Sequence, residues 1–288
     1  MIIQTIVIGL MMGCIYGLIA FGLSLLFGVM KIVNFAHGAI IMVGMYTVFF
    51  ISTKLSIDPY IAIFIALPIV YAIGYVLGKL VEPILVREKT TGPINVLLLT
   101  LGLSLILTNL FMVIFGSDYK MVKSAIGGKT ILIGDIIINI PRLSGSLISI
   151  FCFLGLYFFM KFTDLGKAMR ATSQDMEAAK LMGINERAIS RRSFAISAAI
   201  AAIAGVALIP FYYISHTVGD VFQLKSFIIV VLGGIGTISG SFIGGLIVGL
   251  VEALGAHFFT ATYAQMIVFI IFIIILLVRP NGLFGNKE

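Results

Sequence analysis

Long hydrophobic runs, interrupted by short polar intervals, dominate the chain. Eight stretches of at least 18 residues contain no Asp, Glu, Lys or Arg. A helix needs about 20 apolar residues to cross the roughly 30 Å of hydrocarbon in a bilayer. Because these runs are apolar on all sides and do not alternate, they predict membrane-spanning helices, not the strands of a barrel. The stretches are 1–30, 32–53, 59–78, 90–117, 143–160, 193–219, 226–251 and 253–278.

The composition supports the same conclusion. Of the 288 residues, 60% are hydrophobic and only 11% are charged, whereas a soluble domain carries about 25% charged residues. This excludes a soluble enzyme, a nucleic-acid-binding protein and a disordered chain. We therefore predict an all-α polytopic membrane protein in which residues 1–288 form a single domain. The net charge of +7 is attributed to basic loops that stay in the cytoplasm.

The polar intervals predict the orientation of the helices. The interval 161–192 contains seven basic and four acidic residues, which places it in the cytoplasm. The interval 79–89, two segments earlier, falls on the same side. The interval 117–142 falls outside, and its glycines and β-branched residues predict a small external hairpin.

The segment 226–251 is the one most interrupted by glycine. Eight simple crossings would leave 11 of the 19 basic residues in the cytoplasm. If this segment instead enters and leaves on one face, 13 of the 19 lie there, and the C-terminus is cytoplasmic. We therefore predict two broken or re-entrant half-helices within this segment, which has seven glycines, among them Gly233, Gly234 and Gly236. Since broken helices at membrane depth line cavities or are buried in protein, these glycines are candidate pathway or gating residues.

Other glycines recur every four residues, which places them on one helix face. Two interpretations stay open for them. They serve close helix packing, or they also form the mobile centre where a transport path opens and closes. The glycines are Gly9, Gly13 and Gly17 in the first segment, and Gly240 and Gly244 in the seventh.

A few polar side chains lie at membrane depth. Asn34 and His37 stand between the first two segments, either as helix-capping groups or as pathway and gating residues. Glu252 is either a buried pathway acid or an interfacial residue. Cys14 and Cys152 are interpreted as packing residues. The three His residues lack metal-ligand spacing and the chain has no GxxxxGK[ST] motif, so we expect no metal, no catalytic residue and no ATP site.

One short helix is predicted inside the basic interval, over residues 173–183. Thr172 or Ser173 would cap its start, and Gly183 would stop it in the left-handed conformation. It either lies on the bilayer surface or docks in a groove of another protein.

Glu177-Ala178-Ala179, followed by Gly183, resembles the EAA loop of ABC-importer permeases. Three further stretches narrow the resemblance to the LivH-like permeases of branched-chain amino-acid importers. They are Tyr16–Gly28 leading into Asn34-Phe-Ala-His-Gly38, Val231-Leu-Gly-Gly-Ile-Gly-Thr-Ile-Ser-Gly240, and Arg279-Pro-Asn-Gly-Leu-Phe-Gly285.

The resemblance implies a transport subunit of a bacterial or archaeal cytoplasmic membrane. Glu177, Ala178, Ala179 and Gly183 would form the coupling helix. The implied partners are a homologous second permease, two cytoplasmic ATP-binding subunits and an extracytoplasmic substrate-binding protein. ATP is used by the partners, and no cofactor is bound by this chain. The implied cargo is leucine, isoleucine or valine, or else another amino acid, urea or a short amide. A secondary transporter and an intramembrane enzyme using His37 or Glu252 stay as alternatives.

Overall fold

The computed structural model describes residues 2–87 and 94–285, and within them the chain forms eleven helices and one β-hairpin. Eight of these helices are long and apolar enough to cross a membrane, which confirms the all-α polytopic fold. The elements are α1 (Ile2–Met30), α2 (His37–Leu55), α3 (Pro59–Arg87), α4 (Ile94–Phe115), β1 (Thr130–Ile133), β2 (Ile136–Asn139), α5 (Ile140–Phe162), α6 (Asp164–Gln174), α7 (Met176–Leu181), α8 (Glu186–Leu208), α9 (Val218–Gly233), α10 (Ile238–Phe258) and α11 (Ala261–Val278).

Helices α1 and α8 lie at the centre of the bundle, with most of their residues buried. Helix α3 packs closely on α8 because two of its glycines face that helix. A Cβ atom on Gly78 would lie 3.1 Å from the Cα of Arg191, and one on Gly74 would lie 3.1 Å from the Cα of Ala195. Helices α4 and α11 are peripheral and bury few of their residues.

The predicted break in the glycine-rich segment lies between α9 and α10. Gly234 and Gly236 both have positive φ, of 105° and 79°, which favours glycine. The two helices run antiparallel, since Gly233 contacts Gly240 near the turn and Lys225 bonds Glu252 far from it. Of the two, α9 has 16 residues and is not among the candidate membrane spans, whereas α10 is longer than a half-helix. Helix α9 begins at Val218 and includes charged residues, and α10 has 21 residues, enough to cross a membrane.

The two intervals that were predicted to be cytoplasmic are more helical than expected. Instead of one short helix over 173–183, the chain forms α6 and α7, and α8 already begins at Glu186. The predicted cap at Thr172 or Ser173 is wrong, because Asp175 caps α7. In the interval 79–89, α3 continues to Arg87, while Lys89 lies outside the described residues.

The interval 117–142 contains the predicted hairpin. Strands β1 and β2 are antiparallel, and Thr130 pairs with Asn139. The bundle end next to this hairpin is called the β-hairpin end. At the opposite end, the last turns of α1 and α5 meet α6 and the α9–α10 turn around a shared cavity. This opposite end is called the α7 end.

Candidate functional site

Helix α7 is a short helix with a defined start and stop. At its start, Asp175 Oδ1 accepts hydrogen bonds from the backbone N–H groups of Glu177 at 2.8 Å and Ala178 at 3.0 Å. After its end, Gly183 adopts a φ of 83°, and the N–H of Ile184 donates to the carbonyl of Ala179 at 3.1 Å. These two arrangements fix both ends of a helix that is too short to be stable by itself.

The exposed surface of α7 is apolar at its C-terminal end. Ala179 is buried, whereas Leu181 and the following Met182 are 89% and 83% exposed. Glu177 and Ala178 are also exposed. A cluster of this kind marks a surface suited to contact with another molecule.

The neighbours of α7 connect it to the rest of the bundle. On one side, Thr163 caps α6 by accepting from the N–H of Gly166 at 3.1 Å, and Gly166 packs directly on the last turn of α5. On the other side, Asn185 caps α8 by accepting from the N–H of Ala188. Lys180 of α7 also lies 3.7 Å from Glu186 of α8. Helix α7 is therefore connected to α5 through α6, and directly to α8.

An ion-pair cluster joins α8 to α3 close to this end. The Glu82 side chain is only 4% exposed and binds two arginines of α8. Its Oε2 accepts from Arg191 Nε at 2.5 Å, and its Oε1 lies 3.4 Å from Arg187 Nε. Sequence reasoning missed Glu82, because it was counted in a polar loop. The available signal was that Glu82 is one of only two acids in an interval that also has three basic residues.

Residues 31–36, between α1 and α2, are not helical, although Ile32, Asn34 and Ala36 are buried. Asn34 Oδ1 accepts from the N–H of Ala36 at 3.0 Å, and the N–H of Phe35 points to Thr100 Oγ1 of α4 at 3.3 Å. His37 Nε2 lies 2.9 Å from the carbonyl oxygen of Ile19. Since Ile19 lies well inside α1, helix α2 begins within the bundle and not at its surface.

Gln223 of α9 bonds both sides of this non-helical segment. Its Nε2 donates to the Asn34 carbonyl at 3.2 Å, and its Oε1 accepts from the N–H of Gly38 at 2.7 Å. The backbones of Gly38 and Gly219 are in direct contact. Sequence reasoning did not identify Gln223, because a glutamine in the short polar interval between Asp220 and Lys225 gives no signal of its partner.

A groove of about 530 Å³ runs between α4 and α9 beside this segment. Its walls are largely apolar, and polar groups come from Ser104, Asp220 and Gln223. Phe35 of the non-helical segment also lines the groove. The groove could hold a small solute with an apolar body.

The far end of α9 contacts the C-terminal part of the chain. The N–H of Leu283 donates to the carbonyl of Leu232 at 2.9 Å, and the N–H of Phe284 donates to that of Gly233 at 3.3 Å. In the turn after α9, Gly236 lies against Gly28 of α1. Helix α9 and the turn after it therefore include one of the three further stretches that carried the family resemblance, and they contact the other two.

The regularly spaced glycines lie at two separate helix contacts. Gly9, Gly13 and Gly17 of α1 face α10, where a Cβ atom on Gly13 would lie 2.8 Å from the Cα of Leu246. Gly240 and Gly244 face α9 instead. The glycines of α10 that meet α1 are Gly245 and Gly249, which the four-residue pattern had not singled out.

Comparison with known proteins agrees with these features. Residues 5–276 match the family described as branched-chain amino acid transport system / permease component. The chain belongs to this family. The permease is 31% identical to the high-affinity branched-chain amino acid transport system permease protein BraD of Pseudomonas aeruginosa, over 99% of this chain and 96% of the relative. It is 32% identical to LivH of Escherichia coli over the same shares.

A more distant relative is also described as a branched-chain amino acid transport permease. The probable branched-chain amino acid transport permease protein LivH of Methanocaldococcus jannaschii is 29% identical over 93% of this chain and 88% of the relative. No solved structure matches the permease. With its eight candidate spans, the permease is a multi-pass protein of the cytoplasmic membrane and a component of a transport system.

Proposed function

We propose that this permease is a membrane subunit of an ATP-driven importer that carries leucine, isoleucine and valine into the cell. The names of its relatives support this cargo. The proposed complex contains a homologous second permease, two cytoplasmic ATP-binding subunits and an extracytoplasmic substrate-binding protein. The observation that carries the proposal is α7, an exposed helix with an apolar tip, capped at both ends on a permease scaffold.

In this proposal the α7 end lies in the cytoplasm and the β-hairpin end lies outside. The seven basic residues of the interval 161–192 support this orientation. The tip formed by Leu181 and Met182 would fill a groove of an ATP-binding subunit, as short helices commonly do. Glu177, Ala178 and Gly183 shape the surface and the turn of this contact.

Closure of the ATP-binding subunits would move α7, and two routes carry the movement inward. One route passes through α8 and the Glu82 cluster to α3. The other passes through α6, which borders a cavity of about 330 Å³ shared with Gly28 and Gly236. The result is alternating access, in which the cargo site faces one side of the membrane at a time.

The proposed path follows the groove between α4 and α9, with the second permease as its other wall. The apolar lining suits an aliphatic side chain. Asn34 and His37 lie near one end of α9, and Gly233, Gly234 and Gly236 lie at the other. We propose that these two regions act as the gates, since a break in a helix allows a local change of direction.

The test is Leu181→Asp in the assembled importer, because a carboxylate at the tip cannot be buried in an apolar groove. We expect the ATP-binding subunits to be lost on purification and leucine uptake to cease, while the permease stays in the membrane. The control is Leu132→Asp, an exposed leucine in β1 at the other end, which should retain the ATP-binding subunits.

Unchanged co-purification in Leu181→Asp would contradict the role of α7. Uptake by the permease alone, driven by an ion gradient, would favour a secondary transporter. Competition of labelled leucine uptake by isoleucine, valine, other amino acids and urea identifies the cargo.

A further inference from the structure

An ion pair inside the membrane region joins three helices. Lys225 Nζ of α9 donates to both carboxylate oxygens of Glu252 on α10, at 2.6 and 2.9 Å, and to the hydroxyl of Tyr16 on α1 at 2.9 Å. The ammonium group also lies 4.6 Å from the centre of the Tyr16 ring. Glu252 is six residues before the end of α10, or about 9 Å from the β-hairpin end.

Holding these helices together does not require charges. Helix α10 already packs on α1 through Gly245 and Gly249, and on α9 through Gly240 and Gly244. Replacing a buried ion pair by apolar residues of similar volume is often neutral or stabilising. Since ionisable groups at membrane depth are costly, their presence here points to a role in binding.

The pair is also accessible from one side. The Lys225 and Glu252 side chains are 17% and 23% exposed, and both line a pocket of about 160 Å³ between α9, α10 and α11. An amide group, Gln265 of α11, lies on the same lining. The other lining residues are all apolar, namely Val221, Leu224, Ile228, Val248, Val268 and Phe269.

We propose that this pocket binds the amino-acid cargo, an inference that rests on the proposed function and adds a recognition site to it. The cargo carboxylate takes the place of Glu252 on Lys225, and the cargo ammonium pairs with the released Glu252. Every charge keeps a partner during this exchange, so no isolated charge is left at membrane depth. The apolar walls contact the aliphatic side chain. The ligand class is therefore a small zwitterion with a branched aliphatic group.

The first measurement is leucine binding to the complete importer in lipid nanodiscs without the substrate-binding protein. Two analogues test the two charges: 4-methylpentanoate lacks the amine, and isopentylamine lacks the carboxylate. Each should compete at least about tenfold more weakly than leucine, because one charge-assisted hydrogen bond is worth this factor or more. Equal competition by either analogue would overturn the proposal.

The second measurement uses the double variant Lys225→Met/Glu252→Gln, which removes the ion pair without leaving a lone charge. We expect the Kd for leucine to rise at least about tenfold, while the ATP-binding subunits still co-purify with the permease. The control is Lys54→Met, which removes an exposed lysine at the same end and should leave leucine binding unchanged.

The swapped variant Lys225→Glu/Glu252→Lys separates recognition from simple helix holding. This variant has an ion pair, so its thermal stability should match that of the wild type. The reversed polarity turns the aliphatic group out of the pocket, so leucine affinity should stay below that of the wild type. Wild-type leucine uptake in this variant would overturn the proposal. So would a wild-type complex stabilised by phosphatidylethanolamine but not by leucine, since that result assigns the pocket to a zwitterionic lipid headgroup.

These outcomes are distinct from failure of the proposed function. If the wild-type importer takes up leucine and the double variant does so equally well, the pocket is not the recognition site and the function stands. If the wild-type importer takes up no leucine at all, the proposed function itself fails.

Discussion

Two ion-pair clusters, one near the α7 end and one deeper in the bundle, differ in how they use similar charged residues. At the α7 end, the single carboxylate of Glu82 is 4% exposed, while its partners Arg187 and Arg191 are 61% and 29% exposed. Deeper in the bundle, Lys225 and Glu252 form a one-to-one pair, and both are partly exposed to a pocket. In the first cluster the carboxylate is almost fully buried, whereas in the second both charged groups are accessible to a ligand.

The difference shows that burial alone does not define a functional charge. Glu82 is shared by two guanidinium groups one helical turn apart, so it fixes α8 against α3 in one register. Lys225 and Glu252 neutralise only each other, which makes an exchange of partners possible. We therefore expect the Glu82 cluster to govern stability and coupling, and the Lys225 cluster to govern ligand binding.

The largest effect is expected from Glu82→Lys. This change places three positive charges at the contact between α3 and α8, and breaking a buried ion pair costs about 3–5 kcal/mol. Thermal unfolding of the detergent-solubilised importer should show a clear fall in Tm. Lys79→Glu is the control, since Lys79 is exposed on the same helix and surface changes are usually close to neutral. Equal Tm values for Glu82→Lys and Lys79→Glu would show that Glu82 does not hold α3 against α8.

An intermediate effect is expected from the Lys225 cluster. Glu252→Gln alone leaves Lys225 without its counter-ion, whereas Lys225→Met/Glu252→Gln leaves no charge. In denaturation experiments the double variant should therefore be more stable than Glu252→Gln by about 1–3 kcal/mol. The single variant Lys225→Met completes the cycle from which the coupling energy is obtained. Strictly additive effects of the two substitutions would indicate that the groups do not interact.

The smallest effect is expected from Lys167 and Asp164, a solvent-exposed pair in α6. Their side chains are 60% and 101% exposed, and water and salt screen such pairs effectively. A cycle of Lys167→Ala and Asp164→Ala should show no measurable coupling in the same assay. A coupling as large as that at Lys225 would remove the distinction between buried and exposed clusters.

The long uncharged runs of the sequence could predict most of the fold, but not its exact helix ends. The absence of charges located the spans, because an unpaired charge is costly in hydrocarbon. The same rule placed the start of α9 too late. Asp220 and Lys225 interrupt the apolar run, and Lys225 is tolerated only because Glu252, far along the chain, pairs with it.

The candidate site was predicted only in part, because some of its features depend on local sequence and others on distant partners. Helix stop signals are local, so Gly183 indicated the end of the short helix. The start was assigned to Thr172 or Ser173, although Asp175 also suits a cap, and only the bend between α6 and α7 separates these possibilities. Gln223 and Glu82 depend on partners distant in sequence, which a single chain without its contacts does not disclose.

The two attachments of α9 have a mechanical consequence. Gln223, near the middle of the helix, bonds the chain before α2, and the C-terminal end of the helix is bonded to Leu283 and Phe284. A stiff rod about 24 Å long, pivoting near its middle, swings its two ends in opposite directions. Inner and outer openings that are linked through such a helix would not be open at the same time. The motion of one rigid helix would therefore prevent leakage, without separate timing of two gates.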